Sequence, residues 1–195
     1  GYCDVCGKEI EKQPLSNEYT AEVSFCGSEF SKKFSDATIF DNEGKIGELF
    51  DYIEKQLEYA GLVTLIQCTN CTTRTVEADK DTFFQIGTGS PTKGTFNPGT
   101  FLWHCDAKIY KVEVTAFNYS KPYQDYQTKE WIPNVDTKGH LKLDNIDTSF
   151  EVGDNDGPIT KTIVKEYSEG TNEFTLKSTG GRMLVSKMKI TWRAQ

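Results

Sequence analysis

The sequence predicts a mainly β protein, an antiparallel β-sandwich of jelly-roll type with one amphipathic α-helix near residues 45–60. Three observations carry that expectation. Apolar and polar residues alternate with period two in several stretches. Clusters of Gly, Pro, Asn and Asp separate those stretches. In one segment alone the apolar period switches to that of a helix.

In chain order, Ala21, Val23 and Phe25 alternate with Thr20, Glu22 and Ser24, as in a strand with one buried face. Ile46, Leu49, Phe50, Ile53, Leu57 and Ala60 follow helical spacing, with acidic residues opposite and Gly61 as a stop. Leu62 to Ile66 reads as a short buried strand running into Cys68. Tyr110, Val112, Val114 and Ala116 alternate with Lys111, Glu113 and Thr115; Leu141 and Leu143 flank Lys142; Phe174 and Leu176 alternate with Glu173, Thr175 and Lys177. The closing stretch sets Leu184, Met188, Ile190 and Trp192 against Lys187, Lys189 and Thr191. Asn97-Pro98-Gly99, the run from Gly153 to Pro158 and Ser178-Thr179-Gly180-Gly181 are turn signals. About eight to twelve short strands follow from this punctuation.

The 195 residues suit a single domain over 1–195, with residues 1–18 and 40–75 as a small Cys-containing N-terminal elaboration. With 22 basic against 29 acidic side chains, the net charge of -7 argues against nucleic-acid and anionic-membrane partners. Only Arg74, Arg182 and Arg193 are arginines. No apolar run reaches the ~20 residues that span a bilayer, so no membrane insertion is expected. Two histidines exclude a three-His metal site. A leading Gly is a common scar of processing, so the chain is read as a mature form whose leader has been removed. It is expected outside the cell or on its surface.

Six cysteines stand at positions 3, 6, 26, 68, 71 and 105. In one reading Cys3, Cys6, Cys68 and Cys71 form two C-x2-C knuckles that converge on one structural Zn²⁺, tying the N-terminus to the segment after residues 62–66. Gly7 after the first pair allows the backbone to turn toward sulfur. Cys26 and Cys105 are then free buried thiols. In the other reading an exported chain joins its six cysteines as disulfides. Both stand at this stage.

Catalytic patterns fail on spacing. The glycines from Gly87 to Gly94 lack the Lys placement of a phosphate loop and run into a strand instead of a helix. His104 and Cys105 are strand neighbours and so point to opposite faces, away from a nucleophile–base contact. The Asp154-Asn155-Asp156-Gly157 turn has Lys165 where a calcium loop needs Glu. The densest aromatic segment holds Tyr119, Tyr123, Tyr126 and Trp131 among Ser, Lys, Gln and Asp. Aromatic faces stack on sugar rings while such side chains bond hydroxyls, so these four are the candidate ligand-binding residues.

Three stretches carry a family resemblance: Phe84-Gln85-Ile86-Gly87-Thr88-Gly89-Ser90 with Gly94-Thr95-Phe96, then Ile109 to Ala116, then Asn172 to Ser178 with Met188 to Trp192. Together, over about residues 83–192, they resemble the secreted jelly-roll modules of gut bacterial surface proteins. The helix and the Cys pairs depart from that pattern. The resemblance implies a jelly roll outside the cell and transfers no catalytic residue. The functional expectation is a non-catalytic extracellular or cell-surface binding module, with glycan as the first ligand. A structural or adhesion domain contacting another protein is the alternative, and a metal- or Cys-dependent enzyme is a third.

Overall fold

Alternation assigns each strand a buried face, and pairing decides what that face meets. The computed structural model describes residues 17–41, 43–76, 80–91, 93–119, 123–132, 138–152 and 158–193. Their elements follow the order β1 (Glu18–Ser24), α1 (Gly27–Lys33), α2 (Glu43–Leu57), β2 (Leu65–Thr69), β3 (Cys71–Val76), β4 (Asp81–Ile86) and β5 (Thr100–Asn118). After them come β6 (Tyr123–Gln124), β7 (Trp131–Ile132), β8 (Gly139–Leu143), β9 (Ile146–Phe150), β10 (Lys161–Gly180) and β11 (Met183–Arg193).

Nine strands make one antiparallel sheet, ordered β3-β4-β11-β5-β10-β8-β9, with β1 paired to β11 and β2 to β5. β6 and β7 form a separate two-stranded ribbon. Strands of 19 and 20 residues, β5 and β10, accumulate too much twist to stay flat. Their pairing slips between Glu166 and Thr171, and bulges of this kind bend a sheet. The sheet therefore curls, and the layers of the expected sandwich are continuous through its long strands.

The inner face carries the core. β5 contributes Phe101, Trp103 and Cys105, then changes parity and contributes Val112, Val114 and Ala116. β11 adds Val185, Met188, Ile190 and Trp192. The helices close this face with Phe30, Leu49, Ile53 and Leu57, all buried. Trp103 is fully buried, donates its indole N–H to the Leu62 carbonyl at 2.8 Å and stacks on Phe174 at 5.5 Å. Burying an aromatic ring with its polar atom satisfied retains its whole apolar contribution.

One expectation is met here and two are corrected. The helix expected near 45–60 runs Glu43–Leu57, because Glu58 at φ 55° and Gly61 at φ 88° turn the chain out of it. A second helix, α1, was not expected; seven residues offer Phe30 alone as a buried anchor, too little for a visible period. The strand expected at 62–66 begins at Leu65, which is 42% exposed, so the apolar run is not buried throughout. Leu62 and Val63 are buried, but as the bend that brings the Thr64 N–H onto the His104 carbonyl at 2.8 Å. The segment 40–75 contributes α2, β2 and β3 to the same sheet and core.

Candidate functional site

The outer face of the sheet is polar over most of its area. Across β1, β11 and β5 the register aligns Glu22 with Lys189 and Lys189 with Glu113, an alternation of charge expected of a solvated face. It is interrupted where several strands break register together. β10 slips between Glu166 and Thr171, and β11 slips between Thr191 and Trp192 against β5. An extra residue at a bulge re-aims its neighbours, so Tyr110 and Lys111 no longer strictly alternate and both reach one depression.

That depression is an open cleft of about 380 Å³. β5 supplies Tyr110 and Lys111, and β10 supplies Glu166, Tyr167 and Ser168. Thr191 and Arg193 come from β11, and Glu18 from β1. Gly170, at φ 72°, sits where a Cβ would lie 3.1 Å from the end of the Tyr110 ring, so the wall needs glycine there. The Arg193 guanidinium lies 3.8 Å from the Tyr110 ring centre, and its Nε stands 3.6 Å from Glu18. The Thr191 hydroxyl is buried in the cleft wall without a hydrogen-bond partner among the described residues. The Tyr167 hydroxyl donates to Asp144 at 2.5 Å, which fixes that side chain. Sequence reasoning missed this site, since its residues come from four strands and its cause, coincident bulges, has no local pattern.

The aromatic segment is divided in space. Tyr119 follows the end of β5, and its ring packs on a satellite cluster of Phe83, Phe117 and Leu184, outside the main core. Arg74 and Arg182 lie over it at 5.0 and 4.6 Å. Tyr126 is 87% exposed, with Lys129 at 4.4 Å from its ring. It rides a turn organised by Asp125, whose carboxylate accepts from the Thr128 and Gln127 N–H groups at 2.7 and 2.8 Å. Those bonds hold the Asp125 carboxyl below the usual range. Tyr123 pairs with Ile132 and Gln124 with Trp131, so Tyr123 and Trp131 are not cross-strand partners.

Of the four proposed zinc ligands, Cys3 and Cys6 lie outside the described residues. Cys68 and Cys71 flank Asn70, which takes φ 49° between β2 and β3. Hydrogen bonding to the Cys71 thiol, then burial, hold the Cys68 thiol well above the usual range. Among the described residues no disulfide joins Cys26, Cys68, Cys71 and Cys105. Among the described residues no three metal-ligating side chains cluster. Cys105 is buried and His104 turns the other way, toward Glu173 at 3.2 Å, as strand alternation requires. The stretch after Ile86 is a turn closed by Thr88 and Asn97, followed by β5, and builds no helix N-terminus for a phosphate. The Asp154 turn lies outside the described residues. No helix among the described residues is long and apolar enough to cross a membrane.

No protein-family model matches the sequence, and no curated protein matches it at a significant level. Among solved structures, similarity is found to carbohydrate-binding modules. The C-terminal family 6 module of a marine laminarinase from Zobellia galactanivorans is 12% identical over 64% of this chain and 90% of its own, with a TM-score of 0.34. A family 61 module, solved with β-1,4-galactotriose, is 9% identical over 69% of this chain and 92% of its own, with a TM-score of 0.38. A family 35 module from Clostridium thermocellum is 15% identical over 64% and 90%, with a TM-score of 0.33. Scores at this level carry no argument about ligand, and the architecture rests on this chain's own strand pairing.

Proposed function

We propose that this chain is a non-catalytic glycan-binding module acting outside the cell or on its surface, with the outer-face cleft as its main site. The observation that supports the reading is the cleft itself. The Tyr110 ring stands among carboxylates, cations and hydroxyls, in a hollow open enough to admit a chain of sugars from the side. The setting of Glu18 supports the non-catalytic reading. Glu18 is half exposed and ion-paired to Arg193, whereas a general acid for glycoside cleavage needs a carboxyl desolvated enough to stay protonated. Tyr119, Tyr123, Tyr126 and Trp131 are proposed as a second aromatic contact region, and Cys3, Cys6, Cys68 and Cys71 as a structural zinc site.

A glycan array probed with the purified protein, then repeated with Tyr110→Ala and with Tyr126→Ala, tests the reading. Binding is expected for the wild type, a loss of roughly tenfold or more for Tyr110→Ala and a smaller loss for Tyr126→Ala. Wild-type protein that is folded yet binds no glycan refutes the proposal and favours a structural or adhesion module.

A further inference from the structure

Two of the chain's three arginines converge on one tyrosine. Arg74 lies on β3 directly across from Phe83, and Phe83 packs edge-on against Phe117 at 5.1 Å. Arg182 lies in the turn from β10 to β11, held by its carbonyl, which accepts from the Tyr119 N–H at 3.0 Å. Both guanidiniums share the Tyr119 ring, at 5.0 and 4.6 Å from its centre. Both are partly buried, and the Nε of each is buried without a hydrogen-bond partner.

A guanidinium carries five N–H donors in a planar fork. Among the described residues neither Arg74 nor Arg182 forms an ion pair. The Arg193 Nε is likewise without a hydrogen bond, but Arg193 has an ion pair to Glu18 at 3.6 Å. Two like charges brought onto one ring repel each other, and the ring quadrupole offsets only part of that. Partly desolvated cations without an anion are costly in a chain with 29 acidic residues to draw on. The satellite cluster explains why Tyr119 is there, but not why two cations are.

We infer that Arg74, Arg182 and Tyr119 form a receptor for an oxyanion carried by the glycan, a uronate carboxylate or a sulfate ester. Paired forks match the two or three oxygens of such a group, and the tyrosine offers its hydroxyl and ring edge to the adjoining sugar. This rests on the glycan reading for its ligand. The site itself stands apart from the cleft, at the opposite end of β11.

The test follows the arginine Nε–H resonances, of which the chain has three, in ¹H–¹⁵N spectra assigned with Arg74→Lys and Arg182→Lys. Titration with inorganic sulfate is expected to shift the Arg74 and Arg182 signals saturably and leave Arg193 unmoved, and free glucuronate is expected to shift the same two signals saturably. Polygalacturonate is then compared with its methyl ester, and a sulfated galactan with its desulfated backbone. One charged polymer is expected to bind at least tenfold tighter than its neutral counterpart. Arg182→Gln, checked for an unchanged melting temperature, is expected to abolish that preference, while Tyr110→Ala lowers binding to both members of a pair and keeps it. Arg74→Gln serves if Arg182→Gln unfolds. Free anions that shift neither signal overturn the inference. Shifts with free anions but no polymer binding leave the oxyanion receptor standing and defeat the glycan reading.

Discussion

Replacing Asp144 perturbs the turn between β8 and β9, on which one wall of the cleft leans. Its carboxylate accepts from the Thr175 backbone N–H at 2.9 Å and from the Tyr167 hydroxyl at 2.5 Å. Its own N–H donates to the Thr175 carbonyl at 3.0 Å, and its backbone takes φ 50°. Burial, then the bond to Asp144, hold the Tyr167 phenol well above its ordinary range, so it remains a donor. Asp144→Ala removes both side-chain bonds and keeps the left-handed backbone. A bond to a carboxylate contributes roughly 1.5–3 kcal/mol, and the lower figure applies because Asp144 is partly exposed. Two such bonds total about 3 kcal/mol, and alanine at positive φ adds roughly 1 kcal/mol more. Asp144→Asn keeps an acceptor and tolerates the backbone, so its cost is about 1–2 kcal/mol. Asp144→Gly relieves the backbone and falls about 1 kcal/mol short of alanine. Urea denaturation at constant m-value measures each. Tyr167→Phe is expected to cost about 1 kcal/mol in the wild type and almost nothing on top of Asp144→Ala, because the shared bond is already gone. An alanine variant within 1 kcal/mol of wild type, or full additivity with Tyr167→Phe, refutes this account of the turn.

Further outcomes follow from the core, the loops and the thiols. Trp103→Ala is expected to cost roughly 3–5 kcal/mol and Trp103→Phe less, read from denaturation midpoints; equal losses would show that packing around the indole is irrelevant. Gly89→Ala places a Cβ 1.9 Å from the Thr95 carbonyl oxygen at φ 75°, so the 87–99 loop must rearrange and the melting temperature is expected to fall by several degrees. Burial, then the charge of Asp106, push the Cys105 thiol up to about 12 from 9.0, so native alkylation at pH 8 is expected to be far slower than in urea. The folded state holds this proton more tightly than the unfolded one, so that part of stability is intact below pH 9 and declines as pH rises toward 12; pH-dependent denaturation of Cys105→Ala checks the sign. Metal analysis on unreduced protein is expected to find one zinc per chain, released with a drop in melting temperature by a chelator. Absence of metal together with absence of free thiols would replace zinc by disulfides.

Comparison of particular elements shows where local information ends. β1, the second half of β5, β8, the second half of β10 and β11 were each legible, because a half-buried strand writes its buried face into every second residue. α2 was legible for the same reason at helical period, and Gly61 marked the exit within a few residues. α1 was invisible because about two turns with one buried anchor do not establish a period. Leu62 and Val63 misled because an apolar run shows burial without showing whether the chain is straight. Tyr126 stands exposed on its turn. Tyr119, from the same segment, is committed to two arginines that enter the sequence reading only through the charge count.

The sequence by itself determined a mainly antiparallel β protein with a helix against it, since those features depend on the order of apolar and polar residues along short stretches. Tertiary structure alone decided that Glu18, Tyr110, Glu166 and Arg193 share a cleft, and that Arg74 and Arg182 share Tyr119. Each of these depends on register and bulges between strands far apart in the chain. A slip of one residue moves a side chain to the other face of the sheet, and only the packed core selects the slip.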